Sequence, residues 1–216
     1  MAGSRKDVRL RLQNAALELY AERGLDQTTA AEIADLAGVT ERTYFRHFPD
    51  KREVLFDGEA DLQTALVDAV ADAPELPPLP MLLHAFLSVV PRFQSDRALK
   101  QRRHQVISAT SELREREAMK LARLTDAIAG ALEQRNIPGP LASLAATCGI
   151  GVLTRARLAW LAGTPHSYPT LLTDAFGDLN LLFKEAASPN AATPSRPTSD
   201  RPPDAKTARH TARPRT

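Results

Sequence analysis

The stretch "GLDQTTAAEIADLAGVTERTYFRHFPDKREVLF", Gly24 to Phe56, decides how the chain is read. Thr29 and Glu32 stand in a T-x-x-E arrangement, in which each side chain satisfies a free backbone donor of the other at a helix start. The helix so begun is short, has Ile33, Ala34 and Leu36 to bury, and stops at Gly38. Thr40 then caps a further helix running through Phe45 or beyond. The segment "VTERTYFRHF", Val39 to Phe48, holds three aromatics, two arginines and a histidine. Such a helix either packs its rings into a core or offers Arg42, Tyr44, Arg46 and His47 to something negatively charged. Helical periodicity brings Phe45 and Phe48 near Glu41 and Arg42 in projection, so the two faces are not cleanly separated. Val39, Phe48 and part of Phe45 are assigned to packing. Thr40, Glu41, Arg42, Thr43, Tyr44 and His47 are left for solvent or a partner.

A short helix, a glycine-containing turn and a second short helix rich in polar and aromatic residues form a helix-turn-helix pattern. The first helix braces the second, whose outer face fits a DNA major groove about 12 Å wide. Upstream, Val8, Leu12, Ala15, Ala16 and Leu19 recur at helical spacing before a stop at Gly24. Downstream, Pro49 interrupts, and Asp50 with Glu53 repeats the capping pattern for one long helix from Lys51 to about Asp72. The proline-rich loop "APELPPLP" follows, then the helical stretch "MLLHAFLSVV". A longer helical region from Arg97 to about Gln134 carries a break near Ser111. Beyond the turn "NIPGP", two helices are expected over Leu141–Ala162 and Pro169–Ala186. No strand alternation and no repeat of about 20 to 50 residues is present. The expected fold is all-α, with a three-helix helix-turn-helix domain over 1–50, a second helical domain over 51–187 and a tail over 188–216.

Hydrophobic residues make up 43% of the 216 and charged residues 25%, the balance of a soluble globular protein. No uninterrupted apolar run reaches the length of a membrane span, the start "MAGSRKD" lacks a signal-peptide core, and Cys148 is the only cysteine. These features point to the reducing cytoplasm and to no membrane partner. The net charge of +2 is unevenly placed: residues 188–216 hold six Lys and Arg against Asp200 and Asp204, a net of +4, so the rest carries −2. That tail also holds six of the sixteen prolines and is expected to stay disordered. Enzyme chemistry finds no support: G-x-S-x-G, the P-loop and G-x-G-x-x-G are absent, and "GIG" at 149–151 falls in a helical pattern. His47, His84, His104, His166 and His210 show no paired ligand spacing, so neither a metal nor a cofactor is expected.

Through Phe56 the chain resembles the DNA-binding domain of TetR/AcrR-type transcriptional regulators. The resemblance rests on Gly24, Thr28-Thr29, Ile33-Ala34, Ala37-Gly38-Val39, Tyr44, His47-Phe48 and Lys51. It implies DNA contact by Thr29, Thr40, Glu41, Arg42, Thr43, Tyr44, His47 and Lys51. Tyr44 and Lys51 would take phosphates, and Thr40, Arg42 and Thr43 base edges. Arg42 has the chemistry for guanine and Thr43 for the thymine methyl. Where Arg42 stands, family members often carry a small residue, and "TYFRHF" replaces their "LYYHF"; the operator sequence read is therefore this chain's own.

The stretches "RRHQVISATSELRERE" and "KLARLTDAIAGALEQRNIPGPLASLAATCGIGVLTRARLAWLAG" look like actinobacterial-type members with an acyl-CoA-like ligand-binding domain. The resemblance implies a homodimer holding a small-molecule effector. Leu141, Ala145, Cys148, Val152, Ala156 and Ala159 line one face of one helix, and Leu172, Phe176, Leu179, Leu182, Phe183 and Ala186 one face of the next. Two such helices per subunit close a symmetric four-helix interface. The alternative is that both faces serve the monomer's own core. Polar or aromatic residues stranded among apolar ones, His84, Phe86, Phe93, Arg103, His104, Arg157 and Trp160, are the candidates for a ligand pocket. The function expected is a repressor released from a palindromic operator by a small, largely apolar effector. The rival is a ligand-independent DNA-binding module governed by a protein partner or by occupancy. The helix from Lys51 is expected to couple the sites, its first turn on DNA and Leu55, Leu62, Leu66 and Val70 packed in the ligand domain.

Overall fold

The computed structural model describes residues 2–94 and 96–186, and the expectation of a disordered tail over 188–216 lies outside the described residues. Every regular element among the described residues is helical. The elements are α1 (Ala2–Arg23), α2 (Ala30–Leu36), α3 (Glu41–His47), a 3-10 turn (Glu53–Phe56), α4 (Glu59–Ala71), α5 (Pro78–Phe93), α6 (Arg97–Ala109), α7 (Ser111–Gln134), α8 (Gly139–Leu161) and α9 (Tyr168–Ala186).

The local chemistry explains most boundaries. Thr29 and Glu32 form the reciprocal capping box at the start of α2, and the Thr40 hydroxyl accepts the Thr43 N–H at the start of α3. Between them Gly38 takes φ 66°, the left-handed conformation that the tight turn needs. Prolines open α5 and α8, where their missing N–H costs nothing. The break between α6 and α7 falls at Thr110, whose extended backbone leaves the helix for one residue.

Two cores result. Leu12, Ala16, Leu17 and Tyr20 of α1 meet Ile33, Ala34, Tyr44 and Phe48 in the first. Val54, Leu55 and Phe56 join it, as do Ile107 of α6 and Leu113 of α7. The second core gathers α4, α5, α7, α8 and α9 around Leu66, Leu82, Phe86, Ile128, Ile150, Leu172 and Phe176. Small residues let α8 sit deep in it. A Cβ added at Gly149 would come within 2.7 Å of Leu82 Cδ1. By length and composition α8 could cross a membrane. Ala142, Ala145, Ala146, Ala156 and Ile150 are buried against neighbouring helices, however, and it carries Arg155 and Arg157, so it is the central helix of a core.

Two expectations are corrected here. The long helix from Lys51 does not form: residues 53–56 make a 3-10 turn, and Gly58 at φ 81° separates it from α4. Asp50 does cap, its Oδ1 accepting the Arg52 and Glu53 N–H groups at 2.7 and 3.1 Å. The Glu53 carboxylate does not reach back to complete the box, because Arg116 and Lys120 hold it. Leu55 consequently packs in the first core and not the second. Leu36, expected inside, is 49% exposed, because seven residues of α2 present only one buried face, that of Ile33 and Ala34.

Candidate DNA interface and ligand cavity

On α3 the open face carries Glu41, Arg42, Phe45 and Arg46, with Thr40 at its cap. Thr43 is half-buried, its hydroxyl 3.0 Å from that of Thr40. Thr29 is exposed, but its hydroxyl is engaged with Glu32. Tyr44 is placed otherwise than expected. Its side chain is wholly buried, and its hydroxyl donates to the Asp50 carbonyl at 3.2 Å. Burial pushes that phenol's pKa up, with the Asp50 charge adding to the shift. The exposed ring is Phe45 at 51%, set edge-on to Tyr44 at 5.4 Å. A seven-residue helix turns about 100° per residue, so burying Tyr44 and Phe48 obliges Phe45 to face outward.

Lys51 is also engaged. Its ammonium donates to the carbonyls of Leu25 at 2.8 Å and Thr28 at 3.1 Å, tying the α1–α2 loop to the segment after α3, while the Tyr20 hydroxyl donates to the Lys51 carbonyl. His47 is half-buried, with Nε2 enclosed and without a hydrogen-bond partner among the described residues. Its pKa is lowered, first by desolvation and then by Arg46, Arg9 and Arg5, against the opposing pull of Asp57. Arg9 pairs with Asp57 at 2.8 Å and lies over the Phe48 ring. Arg46, named among the cationic side chains but not among the DNA contacts, is thus on the open face, as is Phe45, which was assigned in part to packing. The buried Tyr44 and Phe48, four apart, were the signal that could have found them.

In the second domain a cavity of about 200 Å³ opens between α4, α5, α6 and α8. Leu62, Leu66, Val90, Phe93, Leu153 and Trp160 line it, with Tyr168 stacked on Trp160 at 5.5 Å and 15°. Asp57, Glu59, Lys100, Arg103 and Arg157 supply its charged wall. A second space of about 310 Å³ shares Glu59, Leu62, Arg103 and Arg157 and reaches Glu117, Lys120 and Leu121. Glu59 bridges the two. It takes the Arg103 guanidinium at 2.6 Å and the Lys120 ammonium at 3.6 Å, yet burial keeps its carboxyl pKa above the ordinary value.

Of the pocket candidates, Phe93, Arg103, Arg157 and Trp160 line this cavity. The other three do not. Phe86 is fully buried against Phe176, His84 faces an open outer groove with Asp61, Asp68 and Asp72, and His104 lies half-exposed near Ser108. Of the expected dimer residues, Ala145, Val152, Leu172 and Phe176 are buried within the protomer, because the stripe of small and apolar residues on α8 and α9 faces its own core. Leu141 and Phe183 remain exposed, and Cys148 and Leu179 are half-buried. The exposed apolar face of α8 lies beside the expected one. It runs through Leu144, Gly151 and Leu158, and on α9 through Gly177 and Leu181, where Leu182 of the expected face is exposed beside them.

A helix-turn-helix braced by α1 is thus joined to a helical domain that holds a partly open cavity with one apolar and one charged side. The family model described as bacterial regulatory proteins, tetR family, matches residues 12–57, and that of the MftR C-terminal domain matches residues 76–183. The chain belongs to the TetR family of transcriptional regulators, which are not enzymes. It is 28% identical over 149 residues, 63% of its length and 71% of the relative's, to the probable HTH-type transcriptional regulator ArpR of Pseudomonas putida. Thermus thermophilus FadR, a TetR-family transcriptional repressor solved in complex with lauroyl-CoA, is 27% identical with a TM-score of 0.50, over 87% of this chain and 100% of that one. NalD, the secondary repressor of the MexAB-OprM multidrug efflux pump in Pseudomonas aeruginosa, shares the fold at 22% identity and a TM-score of 0.54, over 83% of this chain and 96% of that one.

Proposed function

We propose that this chain is a cytoplasmic, homodimeric repressor that leaves a palindromic operator when a small, largely apolar effector enters the cavity behind α4. Residues 1–57 would form the DNA-binding unit and the helices from α4 onward the ligand-binding and dimerising one. Thr40, Arg42 and Thr43 would meet base edges, with Phe45 and Arg46 flanking them on the same open face.

One observation carries the reading. A run of ion pairs joins the segment behind the recognition helix to the cavity wall: Asp50 to Arg116 at 3.3 Å, Arg116 to Glu53 at 2.5 Å, Glu53 to Lys120 at 3.3 Å, Lys120 to Glu59 at 3.6 Å, and Glu59 to Arg103 at 2.6 Å. A ligand that shifts Arg103 or Glu59 therefore acts on groups that also position the Asp50 cap. The rival reading, a DNA-binding module without a ligand, calls for a filled second domain. The apolar cavity beside these ion pairs favours the effector reading. Genomic footprinting of the bound DNA, followed by titration of candidate effectors with and without operator, tests it. Reciprocal weakening by one common factor is expected; equal effector affinity in both titrations overturns the switch.

A further inference from the structure

The charged wall of the cavity is unbalanced. Of its two carboxylates, Asp57 is already paired with Arg9 at 2.8 Å and Glu59 with Arg103 at 2.6 Å. Of its three cations, Arg157 is paired with Glu117 at 3.1 Å, and Arg103 keeps a buried Nε without a protein acceptor. The Lys100 ammonium has no hydrogen-bond or ion-pair partner among the described residues. Burial lowers its pKa, and the nearby positive charges of Arg103 and Arg157 lower it further against the pull of Asp96. One turn before Lys100 on α6, Arg97 has a buried Nη2 that is likewise without an acceptor, and its guanidinium lies over the Trp160 ring at 5.5 Å. Buried donors without acceptors are costly, and buried cations more so. The Arg103 Nε and the half-buried Lys100 ammonium stand along one side of a space whose other side is Leu66, Val90, Phe93 and the stacked Trp160–Tyr168 pair, and Arg97 lies over the Trp160 ring of that pair.

We propose that Lys100, between Arg103 and Arg157, receives an anionic group of the effector, a carboxylate or a phosphate, while the apolar or aromatic body of the same molecule lies against Phe93, Trp160 and Tyr168. This rests on the cavity being the effector site and adds the charge that the effector carries. The anion satisfies the ammonium, and its negative charge competes with Glu59 for Arg103, so the head group acts at the end of the ion-pair run that leads to Asp50.

The test holds the body constant and varies the head. Naphthylacetate, naphthyl phosphate, naphthylethanol and naphthylethylamine are titrated into the full chain by calorimetry. One of the two anions should bind at least about ten-fold more tightly than the alcohol, the factor expected of a charge-assisted hydrogen bond in a desolvated site, and the amine should bind most weakly. Which anion wins separates a carboxylate from a phosphate effector. In Lys100→Met the anion and the alcohol should bind alike, whereas Lys100→Arg should retain the gap; alcohol binding by both variants reports that the cavity is still folded. Alcohol or amine binding as tight as the better-bound of the two anions in the unaltered chain overturns the anionic head while leaving the cavity as the effector site. Failure of all four to bind overturns both.

Discussion

Arg42 stands on the open face of α3 and is drawn by no ion pair among the described residues, so its fork is available to a guanine edge. Arg42→Ala should relax preference at one base pair by about 1–3 kcal/mol in competition titrations against operator variants; a uniform loss on all sequences would place Arg42 on the backbone instead. Tyr44→Phe should leave operator affinity unchanged and cost about 0.5–1.5 kcal/mol of stability, since its hydroxyl serves the Asp50 carbonyl within the fold. A large loss of DNA affinity in that variant would return Tyr44 to the phosphates. His47 makes a pH-dependent contribution. The fold holds its pKa below the ordinary value, so the neutral ring is the form the native state favours. The stability it supplies is present above a pH of about 6.5 and is lost as the pH falls from there through its lowered value. Urea midpoints at pH about 7.5 and about 5.5 should differ less in His47→Gln than in the unaltered chain.

The connection between α3 and α4 is a hinge-like sequence of short pieces: an Asp50 cap, a 3-10 turn and Gly58 in the left-handed region. A rigid rod would transmit movement of α4 directly to the DNA. Here the transmission passes through side chains, with Arg116 joining Asp50 and Glu53 from α7. Each of these pairs is partly exposed and contributes little stability alone. Their value lies in having two arrangements that both sites can bias. Arg116→Met should therefore shrink the factor by which effector and operator weaken each other by about 0.5–2 kcal/mol, with each affinity measured alone changing less. A coupling factor that survives this change would assign transmission to the α6 and α7 contacts of the first core, Ile107 and Leu113.

In the assembled molecule, two recognition helices must sit about 34–36 Å apart to enter successive major grooves, which makes the subunit contact part of DNA recognition. The exposed apolar stripe of α8 and α9 offers that contact, with Leu144 at 57% and Leu181 at 58% exposure. At Gly151 and Gly177 an added Cβ would meet nothing within the protomer, so a second backbone has room to approach. Leu144→Asp combined with Leu181→Asp should give a monomer by sedimentation, with the fold retained and operator affinity reduced to that of one half-site. A dimer persisting in that double variant would move the interface to another face.

Capping residues, turn glycines and the helical repeat of apolar positions are local quantities, and they sufficed for an all-α chain, for α2 and α3 as a helix-turn-helix, and for the break near Ser111. Thr29 with Glu32, and Gly38 between two short helices, carry that information within a few residues. Which face of a helix is covered depends on what packs there from far along the chain. Tyr44 and Phe45 are adjacent aromatics of similar size, and their opposite fates are set by α1 and the 3-10 turn meeting one side of α3. The stripe on α8 containing Ala145 and Val152 has the composition of a subunit interface, but α5, α7 and α9 close over it first. Arg103 and Trp160 lie 57 positions apart in the chain and share a cavity because α6 and α8 frame the same space. Lys100 carries no periodic signal at all; its half-buried place beside Arg103 and Arg157 arises only when α6 and α8 frame the same space.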